Sequence, residues 1–475
     1  MAELLTPDLC VIGAGSGGLL VAAAAAALGV PVVLIEKGKM GGDCLNTGCV
    51  PSKALIAAGK RAEVFRSSAA FGIKAARPGI EFFQVNDHVN DVIARIAPND
   101  STERFTGLGV RVIEGEACFK DAATVAVGDT HEIKARRFVI ATGSAPAVPP
   151  IPGLDQTPYL TNETVFEARE RPKHLVIIGG GPIGLELAQA FRRLGSDVTV
   201  LEAAQPLAKE DPECSAVVLD KLAREGVVVR SGVKVARVKR VRSKVEVVLE
   251  DGQAEEIIEA SDLLVATGRR PSFEGLGLDA AGIKHDRSGI ATDKRLRTTN
   301  KNVYAIGDVI GGAQFTHAAN YHAGLVIRHA LFRLPVKVDP NAIPRVTFTE
   351  PELAHVGLLE ADARQLRKTI RVLRWPYHEN DRAQAERETS GFIKVITDKK
   401  GKILGATIVG ASAGELITTW TLAIGQGLNI RAFAGIVVPY PTLSEVSKRA
   451  ALSFFTPRLG SPWVRRLLGF LQRFG

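Results

Sequence analysis

Leu9-Cys-Val-Ile-Gly-Ala-Gly-Ser-Gly-Gly18 decides the fold of the N-terminal half. The apolar run Leu9–Ile12 predicts a buried strand, and the glycines after it predict a tight turn into the alanine-rich helix that ends near Leu28. Val32-Val-Leu-Ile-Glu36 predicts the next strand, closed by an acid. Gly13, Gly15 and Gly18 fit G-x-G-x-x-G. The first allows the turn, the second lets backbone approach a pyrophosphate, and the third lets helix pack on strand. Glu36 follows at about the twenty-residue distance where a carboxylate takes ribose hydroxyls. Strand, turn, helix and acid in register predict a dinucleotide site.

The pattern recurs. His174-Leu-Val-Ile-Ile-Gly-Gly-Gly-Pro-Ile-Gly-Leu-Glu186 supplies Gly179, Gly181 and Gly184, and Asp197-Val-Thr-Val-Leu-Glu202 supplies the second strand and its acid. One site uses one glycine turn, so two units predict two dinucleotides; a duplicated fold with one inactive site is the alternative. Phe138-Val-Ile-Ala-Thr-Gly-Ser144 and Leu263-Leu-Val-Ala-Thr-Gly-Arg269 are matching strand-to-turn crossings at the edges of the second unit. Val303-Tyr-Ala-Ile-Gly-Asp308 predicts a buried strand whose final carboxylate can face a polyol.

These segments predict an α/β chain with two Rossmann-like dinucleotide-binding domains, one inserted in the other, and a C-terminal α+β domain. The expected boundaries are 1–145 with 266–335 for the split first domain and 146–265 for the inserted one. The third domain is expected at 341–456, and a basic tail at 457–475. The 475 residues suffice for several cores, and 46% hydrophobic with 23% charged residues excludes a disordered or collagen-like chain. Five cysteines, an odd number, argue against a secreted disulfide scaffold. With no signal-peptide pattern and no apolar run long enough to span a bilayer, the expected location is cytoplasmic.

Gly41-Gly-Asp-Cys-Leu-Asn-Thr-Gly-Cys-Val-Pro-Ser-Lys53 carries the chemistry. Four residues separate Cys44 from Cys49, unlike the spacing of a zinc knuckle, and no histidine cluster completes a metal site, so no resident metal is expected. Pro51 predicts a helix start at Cys49, where the dipole and free N–H groups favour a thiolate. Such a pair can cycle between dithiol and disulfide; two buried structural cysteines are the plainer alternative. Cys10 and Cys118, in apolar strand-like stretches, are expected in the core.

Taken together, these motifs resemble the FAD-dependent pyridine nucleotide–disulfide oxidoreductases, in the branch of dihydrolipoamide dehydrogenase and mercuric reductase. The resemblance covers nearly the whole chain and implies FAD in the first domain and a nicotinamide nucleotide in the second. It implies that Gly13, Gly15, Gly18, Glu36, Gly42, Thr142, Gly143, Gly307 and Asp308 hold FAD. By the same resemblance Gly179, Gly181, Gly184, Glu202 and Gly268 hold the nicotinamide nucleotide. Cys49 would be the thiol beside the flavin, Cys44 the outer thiol, and Lys53 would pair with Glu186. Hydride would pass from NADH through flavin to a Cys44–Cys49 disulfide, and then to a small disulfide, metal ion or oxidant. Glu202 would repel a 2′-phosphate, so NADH is expected over NADPH.

The family's dimerisation domain normally ends in His-Pro-Thr-x-x-Glu; here Val438-Pro-Tyr-Pro-Thr-Leu-Ser-Glu445 puts Tyr440 in the histidine's place. A phenol near pKa 10 is a poor base at neutrality, so Tyr440, with Glu445, is expected to donate a hydrogen bond rather than trade a proton. Packing at the homodimer interface is the alternative. Mercuric reductases share this tyrosine, and Asn380-Asp-Arg382 and Gly391-Phe-Ile-Lys394 also resemble them, but the last cysteine is Cys214 and no C-terminal cysteine pair follows, so the resemblance implies a mercuric-reductase-like branch whose acceptor is something else.

Net charge is +9, and residues 446–475 hold Lys448, Arg449, Arg458, Arg465, Arg466 and Arg473 with no acid. Charge gathered at one end argues against nucleic acid. Wound as a helix, Trp463, Val464, Leu467, Leu468, Phe470, Leu471 and Phe474 share one arc, and the arginines share the other. This predicts either a helix at a membrane surface or one docked on the protein or its dimer partner. A membrane-surface quinone-type flavoprotein and an electron-donor subunit of a larger complex are the competing functions.

Overall fold

The computed structural model describes residues 2–251, 254–459 and 461–474. They divide into two compact units, one of residues 1–203 with 230–338 and one of 204–229 with 339–475.

In the first unit, Leu9–Ile12 is the central strand of a five-stranded parallel sheet ordered Val303–Ala305, Arg137–Ile140, Leu9–Ile12, Val32–Glu36, Arg111–Glu114. All four residues of the central strand are buried, because both sheet faces are covered. On one face, Val11 and Leu34 pack with Val21 and Ala22 of the Ser16–Ala27 helix and with Ala323 and Val326 of the Thr316–Phe332 helix. On the other, Cys10, Ile12 and Val33 pack with Phe119 and Phe138.

The second dinucleotide-type unit repeats this geometry. His174–Ile178 pairs in parallel with Asp197–Glu202 on one side and Asp262–Val265 on the other. A three-stranded antiparallel meander, Lys234–Val241, Lys244–Asp251 and Ala254–Ala260, adds Val247 and Leu249 to the core beneath. The two sequence crossings meet, since Ser144–Pro146 pairs antiparallel with Arg269–Pro271.

The other unit is built on a five-stranded antiparallel sheet ordered Arg345–Thr347, Glu352–Gly357, Ile403–Gly410, Phe392–Asp398, Ile370–Pro376. Trp420 of the Ala413–Gly425 helix is fully buried against Phe433 and donates through Nε1 to Ser447 Oγ at 3.0 Å. Residues 204–229, which the sequence reading keeps in the inserted domain, pack with this unit. Buried Lys394 supplies a reason: its Nζ donates to Asp211 Oδ2 at 2.7 Å and Glu213 Oε1 at 3.1 Å. A buried ammonium needs such partners, and they lie on a segment distant in sequence.

One core expectation changes. Cys10 is buried, but Cys118 faces outward between Ala117 and Phe119 on its strand, the alternation that a half-buried strand imposes. Cys214 is buried, and its thiol is pushed above the usual range by desolvation.

Candidate functional site

The two glycine turns are built alike. Gly13 has φ +103° and Gly179 +117°, conformations that L side chains rarely adopt. A Cβ on Gly18 would fall 1.9 Å from Gly13 O, and one on Gly184 would fall 2.0 Å from Gly179 O, so helix and turn touch backbone to backbone. Gly15 and Gly181 instead face open space, which leaves a cradle over each helix N-terminus. The strand-end acids brace these turns. Glu36 accepts from Ala14 N at 2.6 Å and Gly38 N at 2.7 Å, and Glu202 accepts from Gly180 N at 2.7 Å. Glu36, so engaged, keeps lone pairs for a ribose diol. These features fit an adenine dinucleotide at each turn.

Asp308 lies just after the Val303–Ala305 strand and accepts from Ser144 Oγ at 2.6 Å; burial pushes its carboxyl above the usual range. Gly307 N donates to His322 Nδ1 at 3.3 Å, fixing the turn. Arg269 links this turn to the cysteine loop. Its Nε donates to Ser144 Oγ at 2.7 Å, and its Nη2 lies 3.3 Å from Asp43 Oδ2. Asp43 also accepts from Thr47 Oγ1 at 2.8 Å and Asn162 Nδ2 at 3.1 Å. Gly143 sits in the same crossing with φ +69°, Thr142 Oγ1 donates to Ser272 O at 2.6 Å, and Gly268 lies opposite with φ +129°.

The cysteine loop approaches the first turn closely. Gly41 and Gly42 both have left-handed φ, and a Cβ on Gly42 would meet Gly15 Cα at 2.8 Å. Asn46 Nδ2 donates to Met40 O at 3.0 Å and Gly42 O at 2.8 Å, closing the loop on itself. A helix then runs Cys49–Ser67 with Pro51 in its first turn. It crosses the Pro182–Arg193 helix at Gly59, where a Cβ would sit 3.2 Å from Ala190 O. That close crossing brings Lys53 Nζ to 2.8 Å from Glu186 Oε2. The carboxylate is nearly buried (side chain 7% exposed) and the ammonium is not (37%), so the pair holds a cation at the edge of the cysteine site.

Cys44 and Cys49 are free thiols joined by a hydrogen bond. Their protonation is unequal. Cys49 is lowered to about 6, first by the hydrogen bond from Cys44, then by Thr316 and the Lys53 charge against the opposing effect of desolvation. Cys44 is pushed up, because it donates that bond and is partly desolvated. At neutral pH the pair therefore holds one thiolate, on Cys49, and one thiol, on Cys44. Among the described residues, no cluster of three or more His, Cys, Asp or Glu side chains could hold a metal ion.

Thr316 was not visible from sequence. It is the first residue of the Thr316–Phe332 helix, and its Oγ1 lies 3.4 Å from Cys49 Sγ, 267 positions away along the chain. Against a thiolate the hydroxyl must donate. Thr316→Val keeps the shape and removes the donor. Cys49 alkylation in a Cys44→Ser background should then shift its half-maximal pH upward by about one unit, and Thr316→Ser should restore it. Equal midpoints for all three proteins would exclude the contact as a cause.

Asp43, Ser144 and Arg269 each stand inside a motif of the sequence, beside Cys44, Gly143 and Gly268, but the motifs do not say that the three meet. In the other unit, Tyr440 is exposed, and its hydroxyl donates to Asp381 Oδ2 at 2.8 Å. The acid at the Tyr440 hydroxyl is Asp381, and Glu445 begins the Glu445–Ser453 helix. The Asp381 carboxylate raises the phenol above its usual range, so Tyr440 stays protonated at neutrality. Its proton is committed to Asp381.

Two glycine-turn units and a thiol pair at a helix start define a flavoprotein of the disulfide-reductase class, and the chain belongs to the pyridine nucleotide-disulphide oxidoreductase family. Residues 7–323 match that family, and residues 343–451 match its dimerisation domain. The chain is 37% identical to a mercuric reductase of Streptomyces lividans over 454 residues, covering 94% of this chain and 96% of that protein. It is equally 37% identical to the dihydrolipoyl dehydrogenase of Bacillus subtilis (strain 168), with 94% and 95% covered. Among solved structures it resembles the HOCl-induced flavoprotein disulfide reductase RclA of Escherichia coli, with TM-score 0.83, 29% identity, and 94% of this chain and 99% of that one covered. A Cu(II) complex of RclA matches with TM-score 0.82 and 30% identity, covering 92% and 98%. Like these relatives, the chain is an FAD-dependent oxidoreductase that uses a nicotinamide nucleotide.

Proposed function

We propose that this enzyme uses NADH to reduce a soft metal ion captured by Cys44 and Cys49. What supports the reading is the free thiol pair in the first unit and, in the other unit, a tyrosine hydroxyl that donates to Asp381 Oδ2 at 2.8 Å. Exchange with a small disulfide needs a group that takes and returns a proton at the outer thiol, and Tyr440 is a poor one. Metal capture needs no returning base, because the cation itself drives the second thiol's proton into solvent. Thiolates select soft ions. Two relatives point the same way, one named mercuric reductase and one solved as a Cu(II) complex.

In this reading Gly13, Gly15, Gly18, Glu36, Gly42, Thr142, Gly143, Gly307 and Asp308 hold FAD, with Ser144 and Arg269 bracing Asp308. Bound FAD supplies the relay between a two-electron nicotinamide donor and sulfur. Gly179, Gly181, Gly184, Glu202 and Gly268 seat the nicotinamide nucleotide, and the Glu202 carboxylate favours NADH over NADPH by repelling a 2′-phosphate. Lys53, ion-paired with Glu186, places positive charge beside the thiols. The balance closes: NADH and Hg(II) give NAD+, a proton and Hg(0), and two Cu(II) give two Cu(I). The proposed assembly is a homodimer through the family's dimerisation domain, acting in the cytoplasm. Readings as a quinone-type flavoprotein or an electron-donor subunit gain no support from the relatives.

NADH oxidation by the FAD-loaded enzyme should be measured with Hg(II), Cu(II), lipoamide, glutathione disulfide, quinones and hypochlorous acid, and with NADPH in parallel. The reading expects the highest kcat/KM with a metal ion. Faster turnover of lipoamide or glutathione disulfide would overturn it.

A further inference from the structure

The C-terminal end of the chain takes no part in the redox chemistry described above. Beyond residue 451, where the match to the dimerisation domain ends, the chain forms a helix over Pro462–Leu471 followed by a 3-10 turn over Gln472–Phe474. Val464 is half-buried, but most of the helix's apolar side chains are open: Trp463 is 68% exposed, Leu468 53%, Phe470 54% and Phe474 73%. Phe470 and Phe474 lie edge to face with ring centroids 5.0 Å apart, so the apolar arc continues through the final turn. Arg465, Arg466 and Arg473 are exposed, and none makes an ion pair among the described residues. No acid lies between residues 446 and 475 to neutralise them.

We infer that the 462–474 helix is a docking element for an anionic lipid surface, lying in the plane of the interface. Two features converge on that occupant. The exposed arc combines Trp and Phe with Leu, the mixture that sits at the boundary between headgroups and acyl chains. The opposite arc carries three unpaired guanidinium groups, each able to take a lipid phosphate in bidentate fashion. A protein groove would also take the apolar arc, but it would leave the arginines without partners unless it supplied its own acids. Among the described residues no helix is long and apolar enough to cross a membrane, so the element lies on the surface rather than through it. This inference is independent of which acceptor the thiols reduce.

Flotation of the FAD-loaded protein with vesicles tests it, using phosphatidylglycerol–phosphatidylcholine mixtures against phosphatidylcholine alone. Full-length protein should float with the anionic vesicles, and flotation should weaken as salt rises. A variant ending at Thr456 should remain at the bottom while keeping its FAD absorbance and NADH turnover. Replacing Arg465, Arg466 and Arg473 by Gln should weaken partition roughly 100-fold. Equal flotation with and without the tail would overturn the inference, as would equal binding to neutral vesicles. No flotation, together with a shift from dimer to monomer on truncation, would also overturn it and assign the helix to a second copy of the chain.

Discussion

Cys44→Ser is expected to lower acceptor reduction by about 10³-fold or more while NADH still bleaches the bound flavin. Serine keeps the size and a hydrogen-bond donor toward Cys49, so the loop held by Asn46 and the helix starting at Cys49 should fold unchanged. What disappears is the second sulfur. A hydroxyl near neutrality neither closes a disulfide with Cys49 nor joins it in holding a soft cation. Stopped-flow absorbance separates the two half-reactions in one sample, and the sign of the effect is sharp. Fast flavin bleaching with arrested metal reduction supports the thiol pair as the exit for electrons. Unchanged turnover with every acceptor would mean that electrons leave from the flavin, and the thiol mechanism would be wrong. The unequal protonation adds a pH signature. Activity that needs the Cys49 thiolate should fall as pH drops through about 6. It should hold at higher pH until other groups titrate.

Gly184→Ala is the second large effect. The new Cβ would lie 2.0 Å from Gly179 O, a distance no real pair of atoms tolerates, so the Pro182–Arg193 helix must withdraw from its turn. The N–H groups that would meet a pyrophosphate move with it, and misplacement on this scale costs about 10²-fold. NADH-dependent turnover should fall by that factor, mostly through KM, with FAD content unchanged, because the FAD turn lies on a different sheet. Enzyme reduced chemically with dithionite should still reduce the acceptor, which separates a damaged nucleotide site from a damaged thiol site. Loss of FAD, or full NADH activity, would contradict the assignment of one dinucleotide to each turn.

Local pattern made much of this legible. The glycine turns, the strand-end acids Glu36 and Glu202, and the Pro51 helix start are short-range features, fixed by which residues tolerate positive φ and which begin a helix. The structure carries them within a residue or two of the expected limits: the first helix spans Ser16–Ala27 and the cysteine helix starts at Cys49. Alternation was read less well. Cys118 sits in an apolar stretch, yet its strand turns it outward, because apolar composition does not say which face a residue takes.

Long-range partners could not be read at all. Thr316 beside Cys49, Arg269 between Asp43 and Ser144, and Asp381 beneath Tyr440 are brought together by sheet order and helix crossings that no sequence spacing encodes. The same holds for Lys394 drawing residues 204–229 into the second unit. The sequence alone therefore determined the chemistry available: two dinucleotide turns, one thiol pair and a basic amphipathic end. The tertiary structure decided how that chemistry is set, because a thiol's charge, a phenol's proton and a carboxylate's partner depend on groups a few ångströms away in space, however far they lie along the chain.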